Sequence, residues 1–197
     1  IVLAAVAFFF GEPSNPSTRI AVEGDVSGAL AGLTEVTAGA EGTAVNNEAV
    51  EDWSELAVAL QTAPAGATTL SFADGGSLVI QLPAGDSARI AALAPIQPFT
   101  EPVIGDVNPG SPADEAGFAP GDRIISAAES PIVSWTDFVE VVRGMPGETI
   151  PVVVRRQGEQ LTLTPTAGSE RELNAEMERV EIGRLGVTPQ AEVDYNR

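Results

Sequence analysis

Short apolar runs, each closed by turn residues, recur along the chain. The run from Val103 to Val107 predicts a strand, and Asn108-Pro109-Gly110 ends it. Ser111 suits the cap of a short helix, because its side-chain oxygen can accept a hydrogen bond from a free backbone N–H, and Pro112 suits the first helical position. Gly117 suits the left-handed position at the helix end. A strand followed by a capped one-turn helix is therefore predicted over residues 103–117.

Two stretches place apolar residues at the spacing of an amphipathic helix, and both begin at a tryptophan. Asp52 is positioned to cap the first helix, Trp53 to Leu60, and the second helix runs from Trp135 to Arg143. Each helix is followed by a predicted hairpin of two short strands. The four strands are Thr68 to Phe72, Leu78 to Leu82, Ile150 to Arg155 and Gln160 to Pro165.

The same order of elements occurs twice, and Trp53 and Trp135 are 82 positions apart. A repeat of this kind predicts a tandem duplication. We therefore expect an α+β fold with two domains, residues 17–95 and residues 100–190. Each should be a small, bent, mostly antiparallel sheet with one main helix. Residues 92–102 contain three prolines and are interpreted as a short, stiff connection.

The first ten residues, IVLAAVAFFF, are all apolar and are followed by Gly11-Glu12-Pro13. Ten residues are too few to cross a bilayer, which takes about 20. We interpret residues 1–13 as the C-terminal end of a transmembrane helix, with three phenylalanines at its interfacial end. Residues 1–10 would then make the membrane a partner of the chain. A buried core strand is the alternative interpretation.

Charge and composition narrow the possible functions. With 28 acidic and 10 basic residues, the net charge of −18 repels nucleic acid, so no DNA or RNA partner is expected. Cysteine is absent, so the chain has neither a disulfide nor a thiolate metal site. Histidine is absent as well, which removes the commonest general base and metal ligand. We expect no catalytic residue, no metal ligand and no cofactor within these 197 residues.

A dense set of turn and cap residues between positions 111 and 124 resembles the signature of bacterial PDZ domains, SPA-x-x-AG-hydrophobic-x-x-GD-x-I. The resemblance implies a domain that binds an extended peptide by adding it as a strand to a sheet edge. The matching residues are Ser111, Pro112, Ala113, Ala116, Gly117, Phe118, Gly121, Asp122 and Ile124.

PDZ domains present backbone N–H groups to a peptide's terminal carboxylate from a loop of the form hydrophobic-Gly-x-hydrophobic-Gly-hydrophobic. The residues that match this loop are Ile182, Gly183, Arg184, Leu185, Gly186 and Val187. The loop follows the last hairpin, so the arrangement resembles the circularly permuted bacterial PDZ domains. An ordinary strand with glycines at a bulge is the alternative. Residues 90–95, the equivalent in the first copy, lack glycine, so that copy is expected to be degenerate.

Within this loop we expect the amides of Arg184, Leu185 and Gly186 to hold the carboxylate. Leu185 and Val187 should line the pocket for the last side chain of the peptide, and the Arg184 side chain can add a charge-assisted contact. Both tryptophans are expected in the domain cores. Other polar residues are given structural roles: Asp114 and Glu115 compensate a helix dipole, Asp122 belongs to a turn, Arg156 is solvated in a hairpin, and residues 166–177 form a polar loop.

A membrane-helix end, two permuted PDZ domains and the closing segment from Gly183 to Pro189 together resemble the periplasmic part of bacterial site-2-type intramembrane zinc metalloproteases, the RseP-like regulators of sigma-factor signalling. The resemblance implies a location at the bacterial inner membrane, with the PDZ domains on the periplasmic side. They would bind C-terminal or extended segments of membrane-protein substrates and filter them by size. The zinc ligands, HExxH and a later Asp, would lie in a membrane core outside this chain.

Two alternatives remain open. The two domains could be the PDZ region of an HtrA-type serine protease, or a membrane-tethered scaffold with no protease activity. An HExxH sequence upstream of this chain would indicate the metalloprotease, and a Gly-x-Ser-x-Gly serine-protease domain would indicate HtrA.

Overall fold

The computed structural model describes residues 17–22, 32–33, 36–174 and 177–190. The chain divides into two compact units, the first ending at Phe99 and the second beginning at Thr100. The predicted membrane-helix end, residues 1–13, lies outside the described residues. Within the described ranges, no helix is both long enough and apolar enough to cross a membrane.

In the described residues of the first unit, two helices accompany an antiparallel sheet. Its strands follow the order β5-β4-β2-β1-β6, and β3 forms a short hairpin with β2. The strands are β1 (Arg19–Val22), β2 (Ala40–Val45), β3 (Glu48–Ala49), β4 (Gly66–Phe72), β5 (Ser77–Leu82) and β6 (Ile96–Pro98), and the helices are α1 (Trp53–Thr62) and α2 (Asp86–Leu93).

Helix α1 forms where its capping residue and apolar spacing predict. The Asp52 side chain accepts a hydrogen bond from the Glu55 N–H at 2.8 Å, which satisfies one of the free donors of the first turn. The helix buries Leu56, Ala57 and Leu60 on one face, and this face packs on the core of the sheet. The predicted helix is therefore confirmed, with two further residues at its end.

Residues 90–95, the first copy's equivalent of the predicted loop, are helical as far as Leu93. Helix α2 includes Ile90 to Leu93, and β6 pairs with β1 immediately afterwards. The half-buried Arg89 holds α2 in place, because its guanidinium donates to the carbonyl oxygens of Gln61 at 2.6 Å and Pro83 at 3.3 Å, and to that of Ala63. Residues 96–98 are thus part of the first unit's sheet rather than of a free connection.

Over residues 100–174 and 177–190, the second unit contains three antiparallel groups of strands and two helices. One group has the order β11-β10-β8-β9, and the others are the pairs β12-β13 and β14-β7. The elements are β7 (Ile104–Val107), α3 (Pro112–Ala116), β8 (Arg123–Ala127), β9 (Ser130–Pro131), α4 (Trp135–Arg143), β10 (Val152–Arg156), β11 (Glu159–Leu163), β12 (Gly168–Leu173), β13 (Arg179–Arg184) and β14 (Val187–Pro189).

The cap of α3 agrees with the sequence prediction, whereas the cap of α4 was not predicted. Ser111 caps α3, Pro112 is its first residue, and Gly117 ends it with φ of 83°. Ser134 and Asp137 form a capping box at the start of α4, in which each side chain accepts a hydrogen bond from the other residue's N–H. Both helices therefore begin where local chemistry satisfies their first donors.

The polar loop predicted for residues 166–177 is wrong. Residues 168–173 form strand β12, which pairs with β13 over six positions from Gly168↔Arg184 to Leu173↔Arg179. The side chains of this two-stranded ribbon are largely charged, and charged residues without apolar alternation conceal a strand from a hydrophobicity pattern. Ion pairs such as Arg171 with Glu181 at 3.4 Å lie across it.

Asp122 and Arg156 are not ordinary turn and hairpin residues. The Asp122 carboxylate is fully buried and accepts hydrogen bonds from the Ala119 N–H at 3.0 Å and from Arg156 Nε and Nη2 at 2.6 and 2.7 Å. Arg156 also donates to the Gly117 carbonyl oxygen at 2.8 Å. Hydrogen bonding to Asp122 raises the pKa of the Arg156 guanidinium above its ordinary value. This buried pair ties the β10-β11 hairpin to the turn before β8.

Candidate functional site

A cleft with a volume of about 370 Å³ lies in the second unit between helix α4 and the segment that joins β13 to β14. The helix side is formed by Trp135, Phe138, Val139, Val142 and Arg143. The opposite side is formed by residues 182–188, which include all six residues of the predicted peptide-binding loop. Asn108, at the end of β7, completes the lining.

The helix side is apolar because α4 turns one stripe of its surface toward the cleft. Trp135, Phe138, Val139 and Val142 follow the 3-1-3 spacing of a single helical face. The rings of Trp135 and Phe138 meet edge to face, with centroids 5.6 Å apart. Both tryptophans of the chain are partly buried against their unit's core, as predicted, but Trp135 also lines the cleft. None of these four residues was predicted as part of the site, although their spacing is visible in the sequence.

The two glycines of the loop are required by close packing. A Cβ on Gly183 would collide with the backbone carbonyl of Val142, so the end of α4 rests directly on the β13 backbone. Gly186 has φ of 78°, which a larger residue rarely adopts, and its Cβ would collide with the Ser111 side chain. Both glycines therefore allow the loop to pass between α4 and the start of α3.

The carbonyl groups of Leu185 and Gly186 each accept a backbone hydrogen bond. The Leu185 carbonyl accepts from the Ala113 N–H at 3.0 Å, and the Gly186 carbonyl accepts from the Asn108 N–H at 2.9 Å. The N–H groups of Leu185 and Gly186 donate to no atom of residues 17–22, 32–33, 36–174 or 177–190. Two consecutive donors thus remain available at the cleft, and a partly buried N–H without a partner favours an acceptor that arrives from outside. The N–H of Arg184 is not counted with these two donors, since Arg184 pairs with Gly168 in the β12-β13 ladder.

Strand β14 presents an open edge to the same cleft. It pairs with β7 on one side, through Val187↔Val107 and Thr188↔Asp106, and no other described strand pairs with it. Antiparallel pairs alternate between hydrogen-bonded and non-hydrogen-bonded positions. Since Gly186 is bonded to Asn108, the next position, Val187, directs its N–H and C=O toward the outer edge. An extended chain can therefore add to β14 beside α4.

The cations that line the cleft are both arginines, and both are paired with glutamates of β12. Arg143 donates to Glu172 at 3.1 Å, and Arg184 pairs with Glu170. All four side chains are between 43% and 59% exposed, so these are surface ion pairs. Among the described residues, no group of three or more His, Cys, Asp or Glu side chains is arranged to hold a metal ion.

Comparison with known proteins finds a family match within the second unit and relatives over most of the chain. Residues 103–156 match the PDZ domain family. A protein of Neisseria meningitidis serogroup A that is named as a zinc metalloprotease is 31% identical over 96% of this chain and 43% of its own length. The regulator of sigma-E protease RseP of Escherichia coli is 30% identical over 76% of this chain and 36% of its own length. The chain therefore spans less than half the length of these relatives.

A solved structure also matches part of this chain. The PDZ domain of an SdrC-like protein from Listeria monocytogenes is 14% identical and superimposes with a TM-score of 0.36, over 44% of this chain and 84% of that domain.

Proposed function

Because the chain contains a PDZ domain and is homologous over most of its length to zinc metalloproteases that include RseP, we propose that it is the peptide-recognition part of such a protease. The parent enzyme performs regulated intramembrane proteolysis, and its zinc is held by residues outside this chain. The names of the relatives favour this proposal over the HtrA and scaffold alternatives.

The ligand is an extended peptide with a free C-terminus. It adds antiparallel to the outer edge of β14, where Val187 offers one N–H and one C=O. Its terminal carboxylate accepts hydrogen bonds from the N–H groups of Leu185 and Gly186. The observation that carries the proposal is that these two donors have no partner within the described residues and lie at the head of an open strand edge.

The last side chain of the peptide enters the apolar part of the cleft. Leu185 and Val187 line this part from the loop, and Phe138 and Val142 line it from α4. Since the lining is aliphatic and aromatic, a bulky apolar terminal residue buries the most surface there. Backbone pairing adds little discrimination, so sequence preference is concentrated at the peptide's last position.

The first unit is the other copy of the duplicated domain, and it does not bind a peptide carboxylate. Its helix α1 and strand β6 correspond to α4 and β14 of the second unit, and α2 stands where β13 and the loop would be. The N–H of Ala94, at the end of α2, is already bonded to the Ile90 carbonyl at 3.0 Å. Both copies follow the circularly permuted order, in which the strand next to the ligand comes last in the chain.

Together the two units act as a filter on the periplasmic side of the bacterial inner membrane, with residues 1–13 as the end of a transmembrane helix. They shield the membrane active site from intact substrates and admit those whose periplasmic part has been trimmed. A newly exposed C-terminus is the feature that distinguishes a trimmed substrate, and the cleft of the second unit is suited to it.

The test is a titration of the whole chain with two apolar peptides that differ only in a free or an amidated C-terminus. We expect the free acid to bind at least about tenfold more tightly, since the amide loses the charge-assisted hydrogen bonds. Val139→Trp, which fills the cleft, should abolish binding of the acid. Val133→Trp is the matched control, because Val133 is 54% exposed and does not line the cleft. Equal binding of the two peptides would refute the carboxylate site.

A further inference from the structure

Arg184, the arginine of the loop, forms an ion pair in the free protein. Arg184 immediately precedes Leu185, lines the cleft, and forms an ion pair with Glu170 of β12. In the β12-β13 ladder, Gly168 is opposite Arg184 and Glu170 is opposite Ile182, so the three side chains of Glu170, Ile182 and Arg184 lie on one face of the ribbon. Ile182 on that face is buried and lines the cleft. The ion pair therefore stands at the rim of the site.

From this placement we propose that Glu170 pairs with Arg184 in the free protein, and that the terminal carboxylate of a bound peptide replaces Glu170 as the partner of Arg184. The inference rests on the proposed function and adds the regulation of the same site. In the free protein Glu170 neutralises the cation nearest the two open N–H groups. In the complex the peptide carboxylate accepts from Leu185, Gly186 and Arg184 together, and Glu170 returns to solvent.

The energetics of this exchange are favourable. The Arg184 and Glu170 side chains are 59% and 56% exposed, and exposed ion pairs contribute little to stability, so Arg184 is released readily. The peptide carboxylate is anchored by two backbone donors, whereas Glu170 is fixed on β12 opposite Ile182. A guanidinium adds a further charge-assisted hydrogen bond to that anchored group. Glu170 therefore lowers affinity for a free C-terminus, and it does so only through Arg184.

The chain offers a matched control on the same ribbon. Glu181 pairs with Arg171 at 3.4 Å, but it is opposite Arg171 in the ladder and so lies on the other face from Ile182. Glu170→Gln and Glu181→Gln remove the same charge from the same two strands. A general effect of net charge on the binding of an anionic peptide would appear in both variants, whereas competition for Arg184 would appear only in the first.

The experiment measures the affinity of the full chain for the free-acid and amidated apolar peptides, at low salt, in four variants. Glu170→Gln should tighten binding of the acid about threefold to tenfold and leave the amide unchanged, as expected for release of one exposed ion-pair partner. Glu181→Gln should change neither. Arg184→Gln should weaken binding of the acid, and Glu170→Gln added to Arg184→Gln should bring no gain.

The outcomes separate the inference from the function on which it rests. If the unsubstituted chain binds both peptides equally or binds neither, the carboxylate site and the exchange are both refuted. If it prefers the acid but Glu170→Gln brings no gain, or an equal gain for the amide, the site stands and the exchange is refuted. A gain that persists in the Arg184→Gln background would show that Glu170 repels the peptide directly, which also overturns the exchange.

Discussion

Replacing Arg156 with methionine tests whether the buried ion pair supports the second unit. The Asp122 carboxylate is fully buried, and two of its three hydrogen bonds come from the Arg156 guanidinium. Methionine keeps much of the unbranched stem but removes both donors and the positive charge. It also removes the bond from Arg156 to the Gly117 carbonyl at the end of α3. The variant therefore leaves a buried carboxylate with one backbone N–H as its partner.

The expected loss in the free energy of unfolding follows from how deeply each partner of the ion pair is buried. Breaking a fully buried ion pair by removing one side costs about 3–5 kcal/mol. The Arg156 side chain is 33% exposed, so water can approach the vacated position and the loss should lie lower, at about 2 kcal/mol. For a unit of this size, such a loss lowers the melting temperature by roughly 8–16 °C. Asp122→Asn in the same chain should recover part of the loss, since the buried group is then neutral.

Thermal unfolding followed by tryptophan fluorescence measures the effect. Trp53→Phe leaves Trp135, in the second unit, as the single reporter. Arg155→Met is the control, because Arg155 is the exposed neighbour in the same strand and its loss removes the same charge. We expect Arg155→Met to change stability by less than about 0.5 kcal/mol. If Arg156→Met unfolds at the same temperature as Arg155→Met, the ion pair does not stabilise the fold and the reasoning is wrong.

Two further substitutions should raise stability. Thr68 is fully buried in the first unit, and its hydroxyl has no hydrogen-bond partner among the described residues. Thr68→Val should therefore raise the free energy of unfolding of this unit by about 1 kcal/mol, measured by urea unfolding. Thr69→Val, at a partly exposed position, should give no such gain. Glu129 adopts φ of 66° in the turn between β8 and β9, so Glu129→Gly should stabilise the second unit by about 0.5–1 kcal/mol. Glu159→Gly, within β11, should destabilise the unit instead. A gain in both glycine variants would count against the backbone explanation.

Helix starts, helix ends and hairpins could be predicted from neighbouring residues alone. Ser111 and Asp52 satisfy donors within the next three positions, and Gly117 supplies a left-handed residue where a helix must stop. These caps and helix ends depend on chemistry that acts over a few residues, so the order of residues determines them without knowledge of the fold. The loop around Gly183 and Gly186 was located instead through the resemblance of its glycine pattern to that of PDZ domains.

Tertiary structure decided which distant residues meet. Arg156 pairs with Asp122, 34 positions earlier in the sequence. Helix α4 ends at Arg143, and it supplies the wall of a cleft whose loop begins only at Ile182. The charged strand β12 exists because β13 pairs with it, although no hydrophobic pattern marks it. The same pairing brings Glu170 to Arg184. Local propensity cannot specify such contacts, because their energy comes from packing and pairing that arise only when the chain has folded.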